Sequence, residues 1–252
     1  MTTASSLFAH STSYVIISLV LSLLYFIRPN YVTKPLSIIA LSGLISWNRS
    51  RTTGERAKGV VSSIASLSLS YDFYVSIGLM FSSCGDVMLE LDDNNKDYFI
   101  AGLAAFLLAH LSYICAFTSE AVQYTSVLTF IFIIIAAYYA AMMSVLLPAV
   151  ETADLVLPII VYGLVISTML LFGAARYTST SHTYTHGSKL SSLIGSLIFI
   201  LSDTILALDK FAFRITSAKT IIMLTYYIGQ TFIAISTCKD YLKEVKKQHP
   251  TE

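Results

Sequence analysis

The chain has 252 residues, of which 55% are hydrophobic and only 12% are charged. A soluble globular chain carries about a quarter charged residues, so this composition and a mean hydropathy of +0.70 exclude an ordinary soluble domain and predict an integral membrane protein. The net charge of +1 gives no indication of nucleic-acid binding. We expect the lipid bilayer as the partner and a single transmembrane domain over residues 1–252.

The apolar runs predict an all-α fold of about eight transmembrane helices, because each span needs about 20 residues. Proline supports the start of spans two and six, since Pro35 and Pro158 fall in the first turn, where the missing N–H is not needed. The predicted spans are, in chain order, residues 14–27, 35–47, 72–91, 98–117, 124–147, 155–174, 190–208 and 219–238.

The distribution of Lys and Arg predicts the orientation of these spans. Eight spans put both termini on one side of the membrane, and that side, which includes the loop of residues 48–58 and the tail of residues 239–252, collects ten of the 16 Lys and Arg residues. Cytosolic loops carry the excess of positive charge in membrane proteins. We therefore expect both termini in the cytosol.

One apolar stretch with an interior acidic residue occurs twice. Residues 77–92, IGLMFSSCGDVMLELD, align without a gap with residues 194–209, IGSLIFILSDTILALD, and share six of 16 positions. The alignment places Asp86 on Asp203. Spans three and seven cross the membrane in the same direction, so we interpret the chain as two parallel four-helix repeats related by an axis along the membrane normal.

Asp86 and Asp203 are the strongest candidates for chemistry. A charge inside a membrane is costly and marks a functional site. Both aspartates lie about 20 Å into their spans at 1.5 Å per residue, so the repeat would let them face each other. Two carboxyls in one dry site divide into a proton donor and a proton acceptor. Either could hold either role, and the alternative is that each only bonds a neighbouring helix.

Spans four and eight also carry polar residues that correspond. His110 and Tyr113 lie on one face of span four, because they are three residues apart. The same offset of 117 residues places Tyr227 on His110 and Gln230 on Tyr113. A buried His can move a proton or orient a carboxylate. The alternative is a His that bonds a neighbouring Ser or backbone carbonyl.

Three further residues lie where a substrate could meet the site. Lys34, at the start of span two, suits either a phosphate head group or simple anchoring of the helix end by snorkelling. Ser83 and Ser202 lie next to the acids and suit hydrogen bonds to them, although Ser is also common where membrane helices pack closely. The sequence has no Gly-x-Ser-x-Gly and no HExxH motif, so we expect no serine hydrolase, no metal site and no cofactor.

Six segments between residues 34 and 234 contain all of these candidates. They are Lys34-Pro35, FSSCGDVML (81–89), GLAAFLLAHLSY (102–113), LPIIVYGLVIS (157–167), GSLIFILSDTILALDKF (195–211) and YYIGQTFIA (226–234). In this order and spacing they resemble the YhhN-like lysoplasmalogenase family of membrane proteins. The resemblance implies eight spans in the endoplasmic reticulum membrane. It also implies hydrolysis of the vinyl ether bond of lysoplasmalogens to a fatty aldehyde and glycerophosphoethanolamine or glycerophosphocholine.

The implied reaction agrees with two buried aspartates. A vinyl ether is stable to base and labile to acid, so its β-carbon must be protonated and a carboxylate must then help water to add. Under this reading, one group of residues would orient substrate and water: His110, Tyr113, Tyr162, Tyr226 and Gln230. The alternatives are a lipid transporter or lipid-binding protein without hydrolase activity, and a metal-dependent lipid hydrolase. The sequence leaves the oligomeric state open.

Overall fold

A computed structural model of the chain describes residues 3–56, 70–91, 96–119, 125–179 and 184–238, with the backbone alone at 3–11, 48–56 and 96. The helices within these ranges are α1 (Thr3–Ile27), α2 (Thr33–Arg56), α3 (Tyr71–Glu90), α4 (Lys96–Thr118), α5 (Ser126–Ala149), α6 (Ala153–Thr178), α7 (His186–Ala207) and α8 (Ala218–Ile235). The predicted all-α fold is confirmed over this part of the chain. Asp92 of the repeat and the tail of residues 239–252 lie outside it.

Each predicted span overlaps one helix. Five helices of the described chain, α4 to α8, are long and apolar enough to cross a membrane, and α1 contributes a shorter apolar segment, Thr12–Ile27. The chain therefore has the helices of a multi-pass membrane protein. The largest departures from the prediction are α1, which begins at Thr3 and not at residue 14, and α2, which continues past residue 47 to Arg56. Both helices extend into polar sequence because the i to i−4 backbone bonds of a helix do not require apolar side chains.

The helix surfaces are apolar outside and partly polar inside. Large apolar side chains are exposed on α1 and α5, including Leu19, Leu23, Phe130, Phe132 and Ile133. The fully buried side chains include His110, Arg176 and Gln230. A lipid-facing surface needs no polar groups, whereas polar side chains that face the bundle interior can bond one another.

Two tight helix pairs position the aspartates. Asp86 lies on α3, which packs most extensively on α4, and Asp203 lies on α7, which packs most extensively on α8. The α7–α8 pair crosses at glycines: a Cβ placed on Gly195 would lie 2.9 Å from the backbone N of Ile233 and 3.0 Å from the carbonyl O of Gly229. Small residues let membrane helices approach to backbone contact in this way.

We expect Gly195→Ala to lower the free energy of unfolding by about 1–3 kcal/mol, because a methyl group there forces a shift of the α8 backbone. The matched control is Gly43→Ala on α2, where a Cβ meets nothing within 4 Å. Alanine favours helix over glycine, so this variant should be as stable as the parent or slightly more so. Titration with a denaturing detergent measures both. Equal loss in the two variants would contradict the close α7–α8 approach.

Helix α7 does not end in a simple cap. It passes into a five-residue π-helical turn, Leu208–Ala212. The carboxylate of Asp209 accepts a hydrogen bond of 2.7 Å from the backbone N–H of Ile215, which holds the following loop. Lys210 and Phe211 of this turn line the internal cavity described next. The turn therefore closes one end of the candidate site.

Candidate active site

A cavity of about 130 Å³ lies inside the bundle, and both aspartates line it. Most of its wall is apolar, with side chains from α4, α5 and α6 such as Leu103, Phe106, Met142, Leu146 and Ile159. Of the residues predicted from sequence, six line it: Lys34, Asp86, Tyr162, Ser202, Asp203 and Tyr226. An apolar cavity with a few convergent polar groups is the usual form of a small-molecule site.

Asp86 is held by two neighbours and is 1% exposed. Its Oδ2 accepts a hydrogen bond of 2.7 Å from the hydroxyl of Tyr226 on α8. Its Oδ1 lies 4.0 Å from the ammonium of Lys34 on α2. Burial disfavours the ionised carboxylate, whereas the nearby positive charge favours it.

Asp203 has different neighbours. Its Oδ2 accepts a short hydrogen bond from the hydroxyl of Tyr162 on α6. The Nε2 of His110 lies 2.9 Å from that hydroxyl and 3.6 Å from the Oδ2 of Asp203. Within the described residues, no Lys or Arg approaches this carboxylate as Lys34 approaches Asp86.

The His110 side chain is fully buried among the helices. Its ring meets those of Tyr162 and Phe199 edge to face, with centroids 5.2 and 4.9 Å away. Its Nδ1 has no hydrogen-bond partner among the residues that the structure describes. The imidazole is thus fixed in orientation and bonded toward Asp203 through Tyr162.

Tyr113 and Gln230 lie in the packed core and do not line the cavity. The Tyr113 hydroxyl donates a hydrogen bond of 2.8 Å to the Oε1 of Gln230 and lies 3.4 Å from the Oγ of Ser82. This bond joins α4 to α8 between two positions that the 117-residue offset superposes. Both side chains support the helices that carry the site.

The two predicted serines do not bond the aspartates. The Ser83 hydroxyl donates to the carbonyl of Leu79 at 3.0 Å, and the Ser202 hydroxyl donates to the carbonyl of Ile222 at 3.0 Å. A helical Ser readily bonds the carbonyl one turn earlier, as Ser83 does, while Ser202 bonds α8 and keeps its place in the cavity wall.

Three polar features of the site were missed by sequence reasoning. Tyr138 and Thr204 both line the cavity, and their hydroxyls lie 2.5 Å apart. Lys210 also lines it, with its ammonium 3.9 Å from the centroid of the Phe99 ring. Glu90 lies one helical turn after Asp86 and 3.5 Å from Lys34. The i, i+4 spacing of two acidic residues was the signal for the last of these.

No three His, Cys, Asp or Glu side chains come together as metal ligands in the described part of the chain. The polar groups of the cavity wall include two carboxyls, tyrosine hydroxyls and lysine ammoniums, and the imidazole of His110 lies 3.6 Å from the Asp203 carboxylate without lining the cavity. These groups can donate, accept and move protons.

The five helices that are long and apolar enough to cross a membrane, and the cavity lined by two aspartates, define a multi-pass helical membrane protein with a two-carboxylate site. Residues 29–237 match the model of the YhhN family, and the chain belongs to that family. No solved structure matches it.

Curated relatives of the chain carry lysoplasmalogenase names. It is 35% identical over 158 residues to lysoplasmalogenase TMEM86B of Sus scrofa, which covers 63% of this chain and 60% of the relative. It is 35% identical over 141 residues to lysoplasmalogenase TMEM86B of Homo sapiens, covering 56% and 54%. It is 30% identical over 164 residues to lysoplasmalogenase TMEM86A of Homo sapiens, covering 64% of each. The matches therefore span less than two thirds of these relatives.

Proposed function

We propose that this protein is a lysoplasmalogenase, which hydrolyses the vinyl ether bond of a lysoplasmalogen to a fatty aldehyde and glycerophosphoethanolamine or glycerophosphocholine. The names of the relatives support the activity. The observation that supports this activity for the present chain is that Asp86 and Asp203 line one internal cavity. A vinyl ether is cleaved by acid, and this site holds two carboxyls in different surroundings.

The cavity wall suits a lysolipid. Its apolar side chains would hold the alkenyl chain, and the lysolipid would enter sideways from the bilayer. Lys34, which lines the cavity at the end of α3 that carries Glu90, would lie near the phosphate of the head group. The hydroxyls of Tyr162 and Tyr226, bonded to the two aspartates, would orient substrate and water.

In the first step, protonated Asp203 gives its proton to the β-carbon of the vinyl ether. The C=C electron pair forms the new C–H bond, and an oxocarbenium ion results. Asp203 suits this role because its described neighbours include no ammonium, and Tyr162 links it to His110.

In the second step, water adds to the α-carbon and gives a proton to ionised Asp86. The ammonium of Lys34 at 4.0 Å supports the ionised form, against the opposing effect of burial. The hemiacetal then loses its hydroxyl proton to Asp203, while Asp86 returns its proton to the departing ether oxygen. Aldehyde and alcohol leave, and both carboxyls regain their starting states. General acid–base catalysis of this kind contributes typically about 10²- to 10⁴-fold in rate.

For the topology, we propose that all eight helices cross the membrane as two parallel repeats, with both termini in the cytosol. The excess of Lys and Arg on the terminal side supports this orientation. The hydrogen bond from Tyr113 to Gln230 joins corresponding positions of the two halves, which supports a symmetry axis nearby. The family resemblance supports the endoplasmic reticulum as the membrane that holds the protein.

The test is aldehyde release by purified protein in detergent. A 1-alkenyl lysophospholipid should yield aldehyde, and the matched 1-alkyl lysophospholipid, with a saturated ether, should yield none. In D₂O the trapped aldehyde should carry one deuterium on the carbon next to the carbonyl, since a solvent-derived proton is delivered there.

Two results would contradict the proposal. Aldehyde without deuterium would exclude protonation of the vinyl carbon. A folded protein that binds both lipids and cleaves neither would favour a transporter or a lipid-binding protein.

A further inference from the structure

Four charged side chains of alternating sign run from the cavity to the surface: Asp86, Lys34, Glu90 and Lys219. The Lys34 ammonium lies 4.0 Å from Asp86 and 3.5 Å from the Oε2 of Glu90. The Oε1 of Glu90 accepts a hydrogen bond of 2.9 Å from the ammonium of Lys219. We call these four residues the charge series.

The charge series spans the change from a dry to a wet environment. The exposed fraction of the side chain is 1% for Asp86, 9% for Lys34, 13% for Glu90 and 66% for Lys219. Three helix ends meet here, because Lys34 and Lys219 lie in the first turns of α2 and α8 and Glu90 ends α3. Glu90 is thus the only one of the four that contacts two ammoniums, and it connects the cavity to the surface.

We propose that Glu90 determines head-group selectivity at this end of the cavity, an inference that rests on the proposed function. In the bound state the phosphate of the lysolipid takes the place of the Glu90 carboxylate between the Lys34 and Lys219 ammoniums. The Glu90 carboxylate in turn forms an ion contact with the positively charged nitrogen of the head group. One pair of ion contacts is exchanged for another.

The reason for selectivity is charge balance. With all four groups ionised, the charge series is neutral, and a head group with one phosphate and one ammonium is neutral too. Binding of this head group to the charge series therefore buries no net charge. A largely buried site requires such a balance, because an uncompensated buried charge is costly. A phosphate monoester brings about −1.5 to −2 charges and no cation for Glu90. Glu90 therefore acts against that competitor, since specificity often depends on a repulsive contact.

The experiment compares three alkenyl lysolipids with phosphoethanolamine, phosphocholine or phosphate monoester head groups. Glu90→Gln should lower kcat/KM for the two zwitterionic substrates by about tenfold to a hundredfold, the loss of one charge-assisted contact. The Glu90→Gln substitution should raise kcat/KM for the monoester, because the site then has one excess positive charge. The matched control is Glu151→Gln, an exposed Glu in the connector between α5 and α6, which should leave the ranking unchanged.

A second variant covers the case in which Glu90→Gln fails to fold. Lys219→Gln changes a mostly exposed side chain and should lower kcat/KM for the monoester more than for the zwitterions.

Binding of saturated alkyl lysolipids with the same three head groups gives the ranking without any cleavage. If the wild type releases no aldehyde, the proposed function fails while this binding series still tests Glu90. Equal loss on all three head groups, the result of a purely structural ion pair, would overturn the proposal.

Discussion

Asp86→Asn and Asp203→Asn should each reduce aldehyde release from an alkenyl lysophospholipid by about 10²- to 10⁴-fold, the usual contribution of a positioned acid or base. Asparagine keeps the shape of the side chain and its hydrogen bond from Tyr226 or Tyr162, but it neither gives nor takes a proton at neutral pH. The measurement is kcat for the purified variants in detergent.

Binding of the saturated alkyl lysophospholipid separates chemistry from folding. Both variants should bind it nearly as well as the wild type, since the apolar wall of the cavity is unchanged. Asp154→Asn is the control, because Asp154 is an exposed acidic residue at the start of α6 and does not line the cavity. Near-normal turnover in either active-site variant, with binding intact, would move the chemistry away from that aspartate.

Arg176→Met should cause the largest loss of stability, at least about 2 kcal/mol, because it removes several hydrogen bonds from a charged donor at a buried position. Arg176 lies in the last turn of α6 and is 0% exposed. Its guanidinium donates to the carbonyl of Ser188 at 3.0 Å and to the carbonyl of Ser236 at 3.2 Å. It also lies 4.1 Å from the centroid of the Tyr71 ring. One side chain therefore holds α3, α6, α7 and the end of α8 together.

The control for Arg176 is Arg214→Met. The Arg214 side chain is 91% exposed and lies 3.8 Å from the Asp209 carboxylate, a surface pair of the kind that contributes little. Titration with a denaturing detergent should show a clear loss for Arg176→Met and almost none for Arg214→Met. Tyr71 and Glu90 lie at opposite ends of α3, so Arg176 acts far from the charge series. Similar unfolding curves for both variants would show that the guanidinium contacts are not needed for folding.

The repeat in the sequence predicts two aspartates in equivalent positions, yet their surroundings differ. Tyr226, which bonds Asp86, corresponds under the 117-residue offset to Ala109. Tyr162, which bonds Asp203, corresponds to Ile45. The hydroxyls therefore come from non-equivalent helices. This asymmetry is what lets two chemically identical side chains take different roles in the proposed mechanism.

The sequence alone determined the all-helical class, the approximate helix positions and the choice of Asp86 and Asp203 as the candidates for the centre of the site. These depend on local properties: apolar runs of span length and the cost of a charge inside one. Residues such as Tyr162, Tyr226 and Lys34 also followed from sequence, although their partners did not.

Only the tertiary structure decided which groups meet. The bond from Tyr226 to Asp86 joins residues 140 positions apart, and the bond from Lys219 to Glu90 joins residues 129 apart. The structure likewise placed Tyr113 and Gln230 in the packed core, away from the cavity wall. Helix periodicity tells which residues share a face, but the neighbour of that face depends on how the helices pack. That packing depends on close contacts such as Gly195 against α8, which no local pattern encodes.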